Sequence, residues 1–326
     1  MSTVVVVYEL DDGARRTVQE ALGDAAQAVH LPDLDDAGRA DALRQADAVL
    51  ARTTRELRQG EIALLKDVKL VQFINAGIDF VPLAELPAGV PVATNGGAYA
   101  EPMAEHAIGM ALAAAKRLLV EHAALTRGEF NQFARNRMLA GGVCGILGFG
   151  GIGVATARLA RGIGMKVHAI NRRGRSEEPT DWIGTPDELD MLLAASDVLV
   201  ICTPLTPATL GMIGAPQLAR MKDDAILVNV ARGEIVDERA LYERLVAFPD
   251  FSACIDAWWI EPVRHGTFRM DQPFLSLSNA IGSPHNSAAS IAGTGAVGLQ
   301  RAAANIRRAL AGQPPLYLVP PEDRMM

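Results

Sequence analysis

The stretch Val143-Cys-Gly-Ile-Leu-Gly-Phe-Gly-Gly-Ile-Gly153 decides how this chain is read. Val143 to Leu147 is a short apolar run of the kind that makes a fully buried strand. Glycines follow at Gly148, Gly150 and Gly153, and an apolar helix pattern covers residues 154–163. The three glycines serve a tight turn, a backbone that a diphosphate can approach, and close packing of helix on strand. The helix would turn its free N–H groups and its positive end toward the phosphates. A lone glycine pattern is common. This one has a strand before it, a helix after it, and a second strand, Lys166 to Ile170, ending where a ribose contact is expected. Gly148, Phe149, Gly150, Gly151, Ile152 and Gly153 are therefore assigned to a dinucleotide.

The end of that second strand bears on which dinucleotide. A site for NAD usually places Asp or Glu there to accept bonds from the ribose hydroxyls. Here the chain reads Asn171-Arg172-Arg173. Two guanidiniums can hold a 2′-phosphate through charge-assisted bonds. The expectation is NADP(H), with NAD as the alternative.

The 326 residues leave room for two domains with their own cores. Nearly half the residues, 49%, are hydrophobic and only 5% aromatic, which suits an α/β protein rich in Ala, Val and Leu. A net charge of −7 without a basic tract argues against nucleic acid as a partner. The opening run Thr3-Val-Val-Val-Val-Tyr8 leads straight into Glu9, Asp11 and Asp12, so it reads as a first strand and not as a signal segment. No apolar run approaches the length of a membrane span. The three cysteines, Cys144, Cys202 and Cys254, sit in strand-like runs and read as small core side chains in a reducing cytoplasm. No histidine or cysteine spacing suits a metal.

Strand and helix patterns alternate from the start. Strand-like runs cover 3–8, 27–31, 48–51 and 70–74, and residues 91–94 close this first lobe. An Ala- and Met-rich helix is expected over 100–122, apolar on most of its surface and so buried between domains or subunits. Further strands are expected at 198–202, 225–230 and 251–256, and a last helix over 287–310 before an irregular, proline-punctuated tail. Such alternation predicts doubly wound parallel sheets. Because the glycine motif follows some 140 residues of other sequence, the first lobe is not the cofactor half; with the last helix expected to return to that lobe, the expectation is a cofactor domain inserted into a flavodoxin-like substrate domain. The expected bounds are 1–96 with 288–326 for the discontinuous substrate domain and 97–287 for the Rossmann-type domain. A cleft between them would hold the substrate, with crossings near 95–99 and 285–287 as hinges.

Three later segments each end a strand with an ionisable group. Val228-Asn-Val-Ala-Arg-Gly-Glu-Ile-Val-Asp237 carries Arg232, Asp256-Ala-Trp-Trp-Ile-Glu-Pro262 carries Glu261, and Ser283-Pro-His-Asn-Ser287 carries His285. The carboxyl ends of parallel strands face the ligand crevice, so the three can converge there. Reduction of a 2-keto acid calls for this trio. An arginine binds the carboxylate through two bonds, a histidine delivers a proton to the developing alkoxide, and a carboxylate fixes the histidine and favours its charged form.

In these segments, together with Asn75-Ala-Gly-Ile-Asp79, Ala104-Glu-His106, Thr203-Pro-Leu-Thr-Pro207 and Val230-Ala-Arg-Gly233, the chain resembles the D-isomer-specific 2-hydroxyacid dehydrogenase family over essentially its whole length. The resemblance implies that Arg232, Glu261 and His285 are catalytic and that Asp256 holds the nicotinamide carboxamide. It also implies that backbone amides around Asn75, Ala76 and Gly77 bind the substrate carboxylate, with Thr203 and Pro204 on the adenosine side. Val230 and Ala231 would adjoin the cofactor. It further implies a homodimer through the cofactor domain, with the helix near 100–122 prominent in the contact. Glu105 and His106 are read as buried, hydrogen-bonded packing groups.

The departures concern the pocket. The segment from Pro262 to Pro284 is longer than usual for the family, and Arg264 and His265 come three and four residues after Glu261, where a solvated loop is expected. Of Trp258 and Trp259, alternation along the chain lets one wall the pocket while the other packs. Tyr99 and Arg52 are further candidates for the substrate pocket. The expected function is hydride transfer between NADP(H) and a 2-keto or D-2-hydroxy acid. The rival readings are a non-catalytic dinucleotide sensor acting as a corepressor, and a dehydrogenase acting on a small anion such as phosphite.

Overall fold

A computed structural model describes residues 1–289 and 294–324, and the chain falls into two compact units. One unit joins Met1–Tyr99 to Ser290–Met326, and the other is Ala100–Ala289.

The first unit alternates β1 (Ser2–Val6), α1 (Asp12–Leu22), β2 (Ala26–His30), α2 (Asp36–Arg44), β3 (Ala48–Ala51), β4 (Val71–Phe73) and β5 (Val92–Ala93). Its sheet runs β2-β1-β3-β4-β5, parallel throughout, which is the flavodoxin-like order. Val4, Val5 and Val6 are fully buried, as a strand covered on both faces requires. Asp11 and Asp35 cap α1 and α2 by accepting from the amides of Ala14 and Gly38.

The second unit follows with α3 (Ala100–Ala115), α4 (Leu118–Thr126), β6 (Val143–Leu147), α5 (Gly151–Gly162), β7 (Lys166–Ile170), β8 (Trp182–Gly184), α6 (Leu189–Ala195) and β9 (Val198–Ile201). It closes with α7 (Ala215–Leu218), β10 (Ile226–Asn229), α8 (Glu238–Ala247), β11 (Ser252–Ile255), α9 (Pro262–His265) and β12 (Ala280–Gly282). Its parallel sheet has the order β12-β11-β10-β9-β6-β7-β8, so β6 and β9 flank the point where the winding reverses. The chain then returns to the first unit as α10 (Thr294–Leu310), which packs on α1. Asn305 on α10 donates to the buried Gln72 side chain of β4 at 2.7 Å, and Asn95 reaches the Gly298 carbonyl at 2.8 Å. These two amides fix the returning helix against the first sheet.

The helix expected over 100–122 is two helices. The amide of Arg137 takes the Ala115 carbonyl at 2.8 Å, the Lys116 ammonium donates to the Arg137 carbonyl, and Arg117 turns left-handed at φ 55°. On α3 the small residues Ala100 and Ala104 pack against Ala155 of α5. Glu101, Glu105 and Gly109 recur one helical turn apart on the opposite, exposed side, so Glu105 is not the buried group expected of it. The last helix also begins later than expected: residues 287 and 288 form a turn, while 290–293 lie outside the described residues, as do 325 and 326 of the tail. Cys202 lies one residue past β9 and is partly exposed, unlike the buried Cys144 and Cys254. The short strands β8 and β12 have no counterpart in the sequence expectation.

Candidate active site

The glycine turn is built for a diphosphate. Gly148 has φ +102°, and a Cβ there would lie 2.5 Å from the Thr203 nitrogen, so only glycine lets the turn close against the tip of β9. Its amide and that of Phe149 both donate to the Ile170 carbonyl, at 3.0 and 3.1 Å. Gly153 packs α5 onto the turn, since a Cβ would lie 2.3 Å from the Gly148 carbonyl oxygen. Gly150, the residue before α5, faces open space: nothing stands within 4 Å of a would-be Cβ. The first turn of α5 carries no acidic residue, and its amides point out beside that gap. A closed turn, a tight helix seat and an open middle glycine fit a dinucleotide diphosphate.

At the end of β7, Asn171 organises the next turn. Its Oδ1 accepts from the Arg173 amide at 2.9 Å, its Nδ2 donates to the Arg175 carbonyl at 2.9 Å, and Gly174 is left-handed at φ +60°. Arg172 and Arg173 are exposed at this tip. Thr203 is partly exposed beside Gly148 and Pro204 is exposed, whereas Val230 is buried and Ala231 half-buried at the end of β10.

Arg232, Glu261 and His285 come from the loops after β10, β11 and β12, three adjacent strands. The Asn229 side chain shapes the first loop, accepting from the Ala231 amide at 3.0 Å and donating to the Arg232 carbonyl at 2.8 Å. Gly233 then lets this loop touch the next, because a Cβ there would lie 2.4 Å from the Trp258 carbonyl carbon. Glu261 is 6% exposed. Both of its oxygens lie 2.8 Å from His285 Nδ1, and Oε1 also accepts from the Trp258 amide at 2.6 Å. Burial by itself would raise the Glu261 pKa. The bond to His285 and the charge of that imidazole, the Trp258 amide and the nearby charge of Arg232 outweigh it, so the carboxyl sits below its ordinary range.

His285 adopts φ 50°, a left-handed conformation unusual for a side chain with a Cβ. Such strain, of order 1–3 kcal/mol, persists only where the surroundings over-determine it. Asp256 supplies that constraint. Fully buried, it accepts from the Ser283 hydroxyl at 2.5 Å and from the amides of Asn286 and Ser287 at 3.2 and 3.3 Å, on either side of the histidine. His106 of α3 joins the cluster, its Nε2 lying 2.9 Å from the Ser283 hydroxyl. The Asp256 carboxylate is thus the post on which the His285 loop hangs, a duty that sequence reading did not assign to it. The only hint was its position at a strand tip.

Trp258, one of the two tryptophans considered for the pocket wall and the one taken as a substrate-binding candidate, is 4% exposed and spends its indole N–H on the Ser283 carbonyl at 2.8 Å. It supports the His285 loop from beneath and is no exposed wall. Trp259 stacks on Phe274 with centroids 5.4 Å apart. Arg264 is also not the solvated loop cation expected: its side chain is 14% exposed and pairs with Glu234 at 2.6 Å. His265 is exposed, and its Nδ1 accepts from the Glu261 amide at 3.0 Å.

The remaining candidates belong to the first unit. Asn75, Ala76 and Gly77 form a partly exposed loop after β4, with the Asn75 side chain donating to the Arg52 carbonyl at 2.8 Å. The Arg52 guanidinium lies over the Tyr8 ring, 5.4 Å from its centroid, and pairs with Glu56 at 3.2 Å. The Tyr99 hydroxyl donates to the Ile74 carbonyl at 3.2 Å. No helix among the described residues is long and apolar enough to cross a membrane.

Residues 108–287 match the family model described as D-isomer specific 2-hydroxyacid dehydrogenase, NAD binding domain. The chain is 30% identical over 259 residues to hydroxypyruvate reductase of Thermotoga maritima, covering 78% of this chain and 82% of that one. It is 32% identical over 242 residues to D-3-phosphoglycerate dehydrogenase of Archaeoglobus fulgidus, covering 73% of this chain but only 45% of that longer protein. Among solved structures it resembles a D-isomer specific 2-hydroxyacid dehydrogenase of Xanthobacter autotrophicus in complex with NADPH and MES, with a TM-score of 0.76, 26% identity and 99% of each chain covered.

The lowered Glu261 pKa has a definite sign in folding. A carboxyl whose folded value is depressed adds stability that is present above its unfolded value and is lost as pH falls through the folded one. Thermal midpoints of wild type and Glu261→Gln, taken from pH 7 down through the ordinary glutamate value of 4.5 and below, should therefore change unequally, the wild type losing its advantage on acidification. A gap between the two that stays constant across this range would contradict the assignment.

Proposed function

The chain belongs to the D-isomer-specific 2-hydroxyacid dehydrogenase family, and on that premise we propose that it is an NADP(H)-preferring reductase of 2-keto acids in which Arg232, His285 and Glu261 carry the chemistry. The observation that carries this reading is the hold of both Glu261 oxygens on His285 Nδ1 at 2.8 Å. With Nδ1–H directed at the carboxylate, the proton available for transfer is the one on Nε2.

NADPH, when bound, supplies a hydride to the carbonyl carbon. Arg232 grips the substrate carboxylate and orients the carbonyl, and His285 Nε2 gives its proton to the carbonyl oxygen, so the product is the 2-hydroxy acid. In the reverse direction the neutral imidazole takes the hydroxyl proton. Gly148 to Gly153 and the start of α5 would seat the diphosphate, with Thr203, Pro204, Val230 and Ala231 alongside. Asp256, fully buried and bonded to Ser283, Asn286 and Ser287, would act through the His285 loop and not at the nicotinamide edge. Asn75, Ala76 and Gly77 would supply amides for the substrate carboxylate, with Arg52 and Tyr99 as neighbours. The turn that Asn171 builds, presenting Arg172 and Arg173, supports the preference for a 2′-phosphate, as does the NADPH held by the Xanthobacter relative. The three free thiols suit a reducing cytoplasm.

A homodimer through the second unit is part of the proposal. The α4 helix buries none of its residues, and Leu118, Leu119 and Leu125 are each more than half exposed. Phe130, Phe133 and Met138 extend the apolar surface at 78%, 83% and 75% exposure, which is costly to leave in water. Sedimentation equilibrium should give twice the chain mass for the wild type and a shift toward the monomer for Leu119→Glu/Phe133→Glu. A monomeric wild type would overturn this part.

Activity is tested with glyoxylate, hydroxypyruvate, pyruvate, phenylpyruvate and branched keto acids against both reduced cofactors. The expectation is turnover of at least one keto acid with kcat/KM higher for NADPH than for NADH, and a loss of about 10²–10⁴-fold in His285→Ala. A preference for NADH overturns the cofactor assignment, and unchanged turnover in His285→Ala overturns the proton donor.

A further inference from the structure

We propose that Glu234 and Arg264 form a brace that sets the distance between Arg232 and the Glu261–His285 pair, making both of them positioning residues for keto-acid reduction. The inference rests on the functional reading above and deepens it. Glu234 lies two residues after Arg232, in the turn Gly233–Ile235. Arg264 lies three residues after Glu261, in the single turn of α9. Their side chains meet at 2.6 Å while only 21% and 14% exposed, so the pair is shielded from the solvent that weakens surface ion pairs.

The brace spans two loops that already touch. Gly233 lies against the backbone of Trp258 and Trp259, where a Cβ would come within 2.4 and 2.5 Å. That contact joins the backbones just after Arg232 and just before Glu261. The ion pair adds a side-chain tie one residue past Gly233 on the first loop and on the far side of Glu261 on the second. Two further bonds tie α9 to Glu261 itself: the Glu261 amide donates to His265 Nδ1 at 3.0 Å, and the His265 amide donates to the Glu261 carbonyl at 2.7 Å. The outer limb of the excursion is anchored as well, through the antiparallel bridge between Ile260 and Arg269 and the edge-to-face packing of Phe268 on Trp258 at 5.5 Å. The extra residues after Glu261 thus fold back as a clamp on the catalytic loops.

A guanidinium that grips the carboxylate and an imidazole that protonates the carbonyl serve one small molecule, so their separation must match its length. Displacement by about 1 Å can cost about 10²-fold in rate. The test uses Glu234→Gln, Arg264→Gln and the charge exchange Glu234→Arg/Arg264→Glu. The readouts are kcat and KM for the keto acid, the dissociation constant of NADPH, and the thermal midpoint. The expected result is a fall of about 10–100-fold in kcat/KM in each single variant, NADPH affinity within about twofold of wild type, and partial recovery in the exchange. Should Arg264→Gln not fold, Glu234→Gln, which keeps the shape of the side chain, decides alone. Singles that keep the wild-type kcat/KM while melting earlier would make the pair merely structural and overturn the brace, as would an exchange no better than the worse single. A wild type inert toward every keto acid would overturn the functional reading and the brace with it, whereas an active wild type with unaffected variants would overturn the brace alone.

Discussion

A buried carboxylate, Glu261, bonded through both oxygens to one imidazole nitrogen, is the interaction on which the proposed chemistry depends. Burying that charge is unfavourable unless it is paired and hydrogen-bonded. The His285 ring and the Trp258 amide meet the requirement, and in doing so they fix the ring's tautomer and orientation. The strained left-handed backbone of His285 is tolerable because Asp256 clamps the loop on both sides of it. Two acidic residues therefore divide the work: one holds the ring, the other holds the chain that bears it.

The parallel sheet makes this arrangement possible. Arg232, Glu261 and His285 follow β10, β11 and β12, neighbours in the strand order, so three positions scattered through more than fifty residues of sequence emerge along one edge. The glycine turn follows β6 on the same carboxyl edge, and Gly148 closes it against the backbone that leaves β9. A crevice at the point where strand order reverses is the expected ligand position in such sheets. The chain's enzymatic character thus follows from strand order together with which loops carry ionisable groups.

Much of this was legible in the sequence because it rests on local rules. Short apolar runs marked β6, β7 and β9, and the space around Gly148, Gly150 and Gly153 is compatible with the roles read for them. The break between α3 and α4 was not legible. It depends on Arg137, twenty residues further on, capturing the Ala115 carbonyl, and no helix periodicity carries that information. The strands β8 and β12, three residues each, are too short to show a pattern and exist because a neighbouring strand offers them a partner. Arg264 looked like a loop cation because charge favours solvent. Its burial depends on Glu234, thirty residues away, being delivered to it by the fold.

The position of a bound keto acid bears most directly on the proposed chemistry. A crystal structure of the enzyme with NADPH and oxamate, a carboxylate-bearing mimic of pyruvate, measures it. The oxamate carboxylate is predicted to lie on the Arg232 guanidinium, with its carbonyl oxygen about 3 Å from His285 Nε2. An oxamate bound with its carboxylate away from Arg232, or with its carbonyl beyond the reach of Nε2, would contradict that chemistry.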